Sequence, residues 1–188
     1  MAYKDLENVN SIIRNCTKCI LHENRKNAVC GIGSLTPDVF LIGEAPGRSE
    51  DENGIPFSGR SGNLLRKSLA NTGITEHGFY ITNSVKCRPP NNVKPNKKSL
   101  EICNEYLKFE IELLRPSVII PLGNTSLTAL SLITGSKYGN ISGIIGKKFE
   151  WKGTLILPQF HPAAVLRDMK RLEKFNNVFL EVTKILKN

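Results

Sequence analysis

The sequence predicts an α/β protein built on a mainly parallel sheet with helices on both faces. Three observations carry this. Four short apolar runs are bounded by turn residues. Segments of helical periodicity lie between them. The residues with chemical potential fall directly after the runs, where open parallel sheets bind ligands.

The first run, residues 39–42, reads Val-Phe-Leu-Ile, without the alternation of a half-exposed strand, so both of its faces are expected to be buried. Residues 79–82, 118–122 and 154–157 read as the other three strands. Between them, residues 64–72 carry Leu64, Leu65 and Leu69 at helical spacing. Residues 99–114 place Ile102, Tyr106, Phe109, Leu113 and Leu114 on one face. Residues 124–134 repeat Leu127, Leu130 and Ile133, and residues 172–186 repeat Phe175, Val178, Phe179, Val182 and Leu186. The Pro-, Asn- and Lys-rich stretch 88–98 reads as a loop. No internal repeat or low-complexity segment interrupts the pattern, so residues 1–188 are read as one domain.

A net charge of +9 predicts attraction to polyanions, and the lack of a basic amphipathic helix favours nucleic acid over a membrane surface. No stretch approaches the roughly 20 apolar residues of a membrane span. The N-terminus lacks a basic-then-apolar leader pattern, so an intracellular, cytoplasmic protein is expected.

Residues 43–60 form a loop too long and too acidic for a plain turn: Gly43-Glu44-Ala45-Pro46-Gly47-Arg48-Ser49-Glu50-Asp51-Glu52-Asn53-Gly54-Ile55-Pro56-Phe57-Ser58-Gly59-Arg60. Four carboxylates and an exposed-looking Phe57 at the end of a buried strand suit a small ligand better than packing. Asn83 follows the second strand, Gly123-Asn124-Thr125 the third, and His161-Pro162 comes just after the fourth. Any one of these residues alone is weak evidence, since Asn and Gly commonly end strands. Four strand ends converging on one site are strong evidence.

Five cysteines in a chain expected inside the cell favour metal ligation over disulfides. Cys16-x-x-Cys19 pairs with the more widely spaced Cys87 and Cys103 to make a four-thiolate set. The spacing leaves zinc and a cubane iron–sulfur cluster open; its irregularity favours the cubane, whose ligands sit on separate irons. Cys30 falls outside both pairs and reads as a small apolar residue.

Taken in order, these pieces resemble the family 4 uracil-DNA glycosylases, the iron–sulfur branch of the uracil-DNA glycosylase superfamily. The resemblance rests on Cys16-x-x-Cys19, on Gly43-Glu44-Ala45-Pro46-Gly47 with Glu50 and Asp51, and on Gly54-x-Pro56-Phe57-x-Gly59-Arg60-x-Gly62. It continues through Ile81-Thr82-Asn83-x-x-Lys86-Cys87-Arg88-Pro89-Pro90, Cys103 and His161-Pro162-Ala163-Ala164-x-Leu166-Arg167. It implies a three-layer α/β/α fold around a four-stranded parallel sheet. It also implies a [4Fe-4S] cluster on Cys16, Cys19, Cys87 and Cys103. The activity implied is flipping of uracil from DNA and hydrolysis of its glycosidic bond, leaving an abasic site and initiating base excision repair.

Roles follow as expectations, that of Asn83 also from the resemblance and the others from the chemistry of the residues. Phe57 stacks the base. Asn83 both donates and accepts, matching uracil O4 and N3–H, where cytosine presents the opposite pattern. The loop Glu44-Ala45-Pro46-Gly47, in which Pro46 carries no N–H, brings its remaining backbone amides to uracil O2 or a phosphate. His161 stabilises the leaving group, as a neutral donor or as a cation. Better-known relatives carry an aspartate where this chain has Ala45, which leaves Glu44 and Glu50 as the catalytic carboxylates: Glu44 to orient water, Glu50 to exclude the C5 methyl of thymine. Leu166 and Arg167 enter the minor groove. Arg60, Arg66, Lys86, Arg88, Lys94, Lys97 and Lys98 meet phosphates. The partner is uracil-containing DNA, single- or double-stranded; the chain is expected to act as a monomer, with recruitment by replication or repair proteins.

Two rival readings explain less. A relative that captures uracil-DNA covalently needs a histidine on an inserted basic loop, and residues 57–62 run on without one. A non-enzymatic DNA-binding module explains the charge and the cysteines but not Phe57, Asn83 and His161 at converging strand ends.

Overall fold

The computed structural model describes residues 2–187 except residue 76, with the side chains of residues 2 and 3 also outside that description. Six strands form one sheet: β1 (Ile32–Gly33), β2 (Val39–Gly43), β3 (Phe79–Asn83), β4 (Val118–Pro121), β5 (Phe149–Trp151) and β6 (Thr154–Ile156). Their order across the sheet is β1-β3-β2-β4-β6-β5. The four inner strands are parallel, as their unbroken apolar runs require, and β2 at the centre is buried along its whole length.

The expectation of a four-stranded parallel sheet is corrected at both edges. β1 adds to β3 and β5 adds to β6, each antiparallel, so the sheet is mixed and six-stranded. These edges were hidden for physical reasons. β1 is only two residues long, too short for a period. β5 joins β6 through a two-residue hairpin whose central residues, Lys152 and Gly153, both have positive φ (50° and 80°). That backbone needs the primed turns usually signalled by Asn-Gly or Asp-Gly, and lysine gives no such signal.

The helices are α1 (Ala2–Arg14), α2 (Arg48–Asn53), α3 (Arg60–Asn71), α4 (Lys97–Leu114), α5 (Asn124–Thr134), α6 (Ile141–Ile144), α7 (Pro162–Arg167) and α8 (Leu172–Lys187). The four helices expected from periodicity correspond to α3, α4, α5 and α8. Start signals fix their ends: Asn96 caps α4 by accepting from the Ser99 amide at 2.8 Å, and Gly135 closes α5 in the left-handed conformation. Also outside that expectation are α2, α6 and α7, four to six residues long and below the length at which a periodic pattern can be read, and the 13-residue α1, whose Leu6, Val9 and Ile13 do repeat at helical spacing but went unread. The helices pack in two groups, α1 with α4 and α5, and α3 with α7 and α8. Among the described residues no helix is long and apolar enough to cross a membrane.

Two bonds carry the inner strands to the brink of the site. The Leu122 amide donates to Ile42 O at 2.8 Å, and Leu122 bridges Gln159 in parallel register. The carboxyl ends of β2, β3, β4 and β6 therefore finish side by side.

Candidate active site

A cleft of about 540 Å³ opens at these strand ends, within the range of small-ligand sites. It is lined by residues 44–50, by Phe57, Gly59, Arg60 and Ser61, by Asn83, by Pro89, Asn92 and Val93, and by His161, Ala163 and Arg167. The structure thus brings together Glu44, Ala45, Pro46, Gly47, Glu50, Phe57, Arg60, Asn83, His161 and Arg167. Arg88 and Leu166 do not line it. Arg88 donates from Nε to Asn92 Oδ1 at 2.8 Å and braces the loop that does. Leu166 lies half-buried on α7.

Asn83 ends β3 opposite Gly43 of β2 and is 3% exposed. A Cβ on Gly43 would lie 2.2 Å from Asn83 Oδ1 and 2.5 Å from Phe57 Cζ. The bare backbone at residue 43 is what lets these two side chains share the floor of the cleft. Phe57 is 5% exposed, so the expectation of an exposed ring is corrected: the surrounding loop folds it into the cleft wall. Its backbone is left-handed, at φ 55°, and Gly62 allows that turn because a Cβ there would meet Phe57 O at 1.7 Å. The Phe57 and His161 rings are 6.1 Å apart between centroids and inclined at 33°, leaving the two side chains flanking one space.

His161 caps α7. Its Nδ1 accepts a hydrogen bond from the Ala163 amide at 3.2 Å. An acceptor Nδ1 places the single proton of a neutral imidazole on Nε2. Burial is the main cause holding the imidazole below its usual range; Arg167 adds to this, while Glu44 and Glu50 oppose it. Sequence left the choice between neutral donor and cation open. The structure favours the neutral Nε2–H donor.

The carboxylates divide. Glu44 follows β2, and its Oε2 accepts from Thr125 Oγ1 on α5 at 2.5 Å, which fixes its direction. Sequence placed Thr125 at a converging strand end; its bond to Glu44 was not foreseen, because nothing in sequence ties residue 125 to residue 44. Glu50 binds Gly47 N through Oε2 at 3.0 Å and Gly59 N through Oε1 at 3.2 Å. Both oxygens are engaged, so Glu50 is not a free base: it ties residues 43–47 to the Phe57 loop while forming part of the cleft wall. Asp51, which pairs with the Lys26 and Asn27 amides, anchors the same helix from behind.

Among the cations at the rim, Arg60 and Arg167 are exposed, as is Arg48, which sequence reasoning did not single out. Lys94, Lys97 and Lys98 are exposed but do not line the cleft. Lys86 is corrected outright. It is 1% exposed and its Nζ pairs with buried Glu110 at 2.7 Å, so it is not available to a phosphate.

A second, smaller and apolar cavity is lined by Cys16, Cys19, Cys87 and Cys103 with Ile13, His22, Ile102 and Tyr106. Among the described residues no three His, Cys, Asp or Glu side chains are arranged to hold a single metal ion. The donor set suits an iron–sulfur group: four thiols face one apolar space, with N–H donors aimed at sulfur. Arg25 Nη1 donates to Cys87 Sγ at 2.9 Å and the Lys86 amide to Cys103 Sγ at 3.3 Å. Such bonds stabilise thiolates. Burial pushes the Cys103 thiol up to about 12 and also raises Cys87, against the pull of Arg25. Cys30 is buried apart from this cavity, its sulfur near Asn10 O.

The model of the uracil DNA glycosylase superfamily matches residues 30–187. The chain is 43% identical over 167 residues to a type-4 uracil-DNA glycosylase of Pyrobaculum aerophilum, covering 87% of this chain and 85% of that protein. A type-4 uracil-DNA glycosylase of Thermotoga maritima is 40% identical over 177 residues, covering 94% of this chain and 90% of the relative. One of Archaeoglobus fulgidus is 37% identical over 184 residues, covering 94% and 92%. Matches of this extent, joined to a cleft built at four parallel strand ends, show that the chain belongs to the uracil DNA glycosylase superfamily.

Proposed function

We propose that this chain is a uracil-DNA glycosylase that acts in DNA repair, flipping uracil from DNA and hydrolysing its glycosidic bond. The observation that carries the reading is the meeting of Phe57, Asn83 and a neutral, proton-donating His161 in one cleft. A base held there has an aromatic face beside it, an amide able to read an O4/N3–H edge, and an Nε2–H donor for O2. Stacking on an aromatic ring contributes about 1–3 kcal/mol and does not depend on base identity. Discrimination against cytosine therefore falls to Asn83.

When the bond between C1′ and N1 breaks, its electron pair leaves with uracil and spreads to O2. A donor at O2 stabilises that charge as an oxyanion hole does. The sugar is left oxocarbenium-like and captures water, which loses a proton and leaves an abasic site. Glu44, oriented by Thr125, is the carboxylate that orients this water, and an electrophile of this strength does not need a strong base. Glu50 walls the C5 side, excluding the thymine methyl. Arg60 and Arg167, joined by Arg48, contact phosphates, and Leu166 on α7 fills the gap left by the base. The two helix groups form the outer layers of an α/β/α sandwich. The chain acts as a monomer, with replication or repair proteins as recruiting partners.

Cys16, Cys19, Cys87 and Cys103 would hold a [4Fe-4S] cluster. Bound there, it supplies a crosslink between the segment after α1, the turn after β3 and α4; glycosidic hydrolysis moves no electrons through it.

The test is an alkali-cleavage panel with oligonucleotides carrying U:G, U:A, single-stranded U and T:G. Cleavage at uracil and not at thymine is expected. Folded protein with intact iron–sulfur absorbance that leaves uracil in place defeats the reading.

A further inference from the structure

Lys86 and Glu110 form a fully buried ion pair that the reaction does not use; Lys86 lines the cysteine cavity and follows Asn83 of the base cleft by three residues. Glu110 lies on α4, seven residues after Cys103 and so on the same face two turns on. Its Oε1 accepts from Tyr80 Oη at 3.2 Å and Thr82 Oγ1 at 3.3 Å, both on β3; its Oε2 accepts from Lys86 Nζ at 2.7 Å. Lys86 Nζ also donates to Thr82 Oγ1 and to the main-chain oxygen of Asn83, the latter at 3.3 Å. The Lys86 amide donates to Cys103 Sγ, and its carbonyl accepts from the Val29 amide at 2.7 Å. Every polar group of Lys86 is thus committed.

Residues 84–87 have no helix or strand to hold them. They carry the chain from Asn83, in the base cleft, to Cys87, in the cysteine-lined cavity. Burying a lysine and a glutamate is costly unless they are paired and hydrogen-bonded, and hydrophobic packing would hold α4 equally well. What the pair supplies is direction. An ammonium fixed by Glu110 and Thr82 holds the Asn83 carbonyl, and with it the backbone that aims the Asn83 carboxamide.

We propose that Lys86, held by Glu110, is a positioning residue for base reading: it clamps the turn after β3 to α4 and sets the orientation of the Asn83 amide. This rests on the reading of Asn83 as the group that recognises uracil.

The experiment is a thermodynamic cycle on the cluster-loaded protein. K86M/E110Q removes both charges together, so no orphan charge is left behind. Uracil release is measured in single turnover for wild type, K86M/E110Q, N83A and the triple variant, with circular dichroism and iron–sulfur absorbance recorded for each. The double variant is expected to keep both spectra and to lose about tenfold or more in rate, on the scale of a misplaced contact. In the N83A background the same change is expected to cost nothing further, because the residue it positions is gone. A wild-type rate in the double variant overturns the inference. So does an equal loss in both backgrounds, which marks a general structural role. Should K86M/E110Q not fold, T82V removes one Lys86 partner and carries the same cycle: a smaller loss that vanishes with N83A is expected, and equal losses overturn it. A wild type that releases no uracil defeats the functional reading itself, and this inference with it.

Discussion

On the proposed function His161 carries two jobs on two nitrogens, and substitutions can separate them. Nδ1 accepts from the Ala163 amide and caps α7, while Nε2 is the nitrogen proposed to donate to the base. Asparagine reaches only as far as the Nδ1 position and is itself a good cap; glutamine reaches the Nε2 position but not the cap. H161A loses both functions. Removing one donor to a developing oxyanion costs about 2.7–4 kcal/mol, or roughly 10²–10³ in rate. Removing a helix cap costs ~1 kcal/mol, which for a chain of this size lowers Tm by about 2–4 °C. H161N is therefore expected to keep wild-type Tm within about a degree and still lose about 10²–10³ in single-turnover uracil release. H161A shows both losses. H161Q shows the Tm loss with the smaller loss of rate. The assay is alkali cleavage of a uracil oligonucleotide beside thermal unfolding of the same preparations. An H161N protein as active as wild type refutes the Nε2 donor, and H161A and H161N equally destabilised refutes the cap.

Other outcomes follow from the same geometry. G43A pushes a methyl into Asn83 and Phe57 at once, and about a hundredfold loss of uracil release is expected with the fold retained. E50A frees the Gly47 and Gly59 amides; it should lower stability by about 2 kcal/mol after solvent screening of two bonds to a charged acceptor, read as a lower Tm, and should begin to admit thymine. An E50A protein that still rejects T:G argues against a C5 wall. His161 titrates below its usual range in the fold, so it contributes stability above the unfolded value and loses it as pH falls through the lowered one. The Tm gap between wild type and H161Q should accordingly narrow as pH drops below about 6.5; a constant gap contradicts this. C103S should lose the iron–sulfur absorbance and unfold at lower temperature.

The inner sheet was legible because strands buried on both faces must be apolar throughout, and residues 39–42 announce that without ambiguity. The location of the site was equally legible, since Glu44, Asn83 and His161 each follow such a run. What sequence hid depends on distance in the chain. Thr125 meets Glu44 across 81 positions. Glu110 meets Lys86 across 24, and turns a lysine that looked like a phosphate contact into a buried strut. Glu50 looked like a catalyst because a carboxylate in a Gly-rich loop has no visible partner until Gly47 and Gly59 close on it. Phe57 looked exposed because its neighbours are polar, whereas its left-handed backbone turns the ring inward.

The proposed function depends most on the base lying between Phe57, Asn83 and His161. A crystal structure of the protein with free uracil tests this directly. The pyrimidine is expected against the Phe57 ring, with O4 and N3–H on the Asn83 carboxamide and O2 within hydrogen-bond distance of His161 Nε2. Uracil bound elsewhere, or bound in the cleft with Asn83 facing away from it, would contradict the assignment.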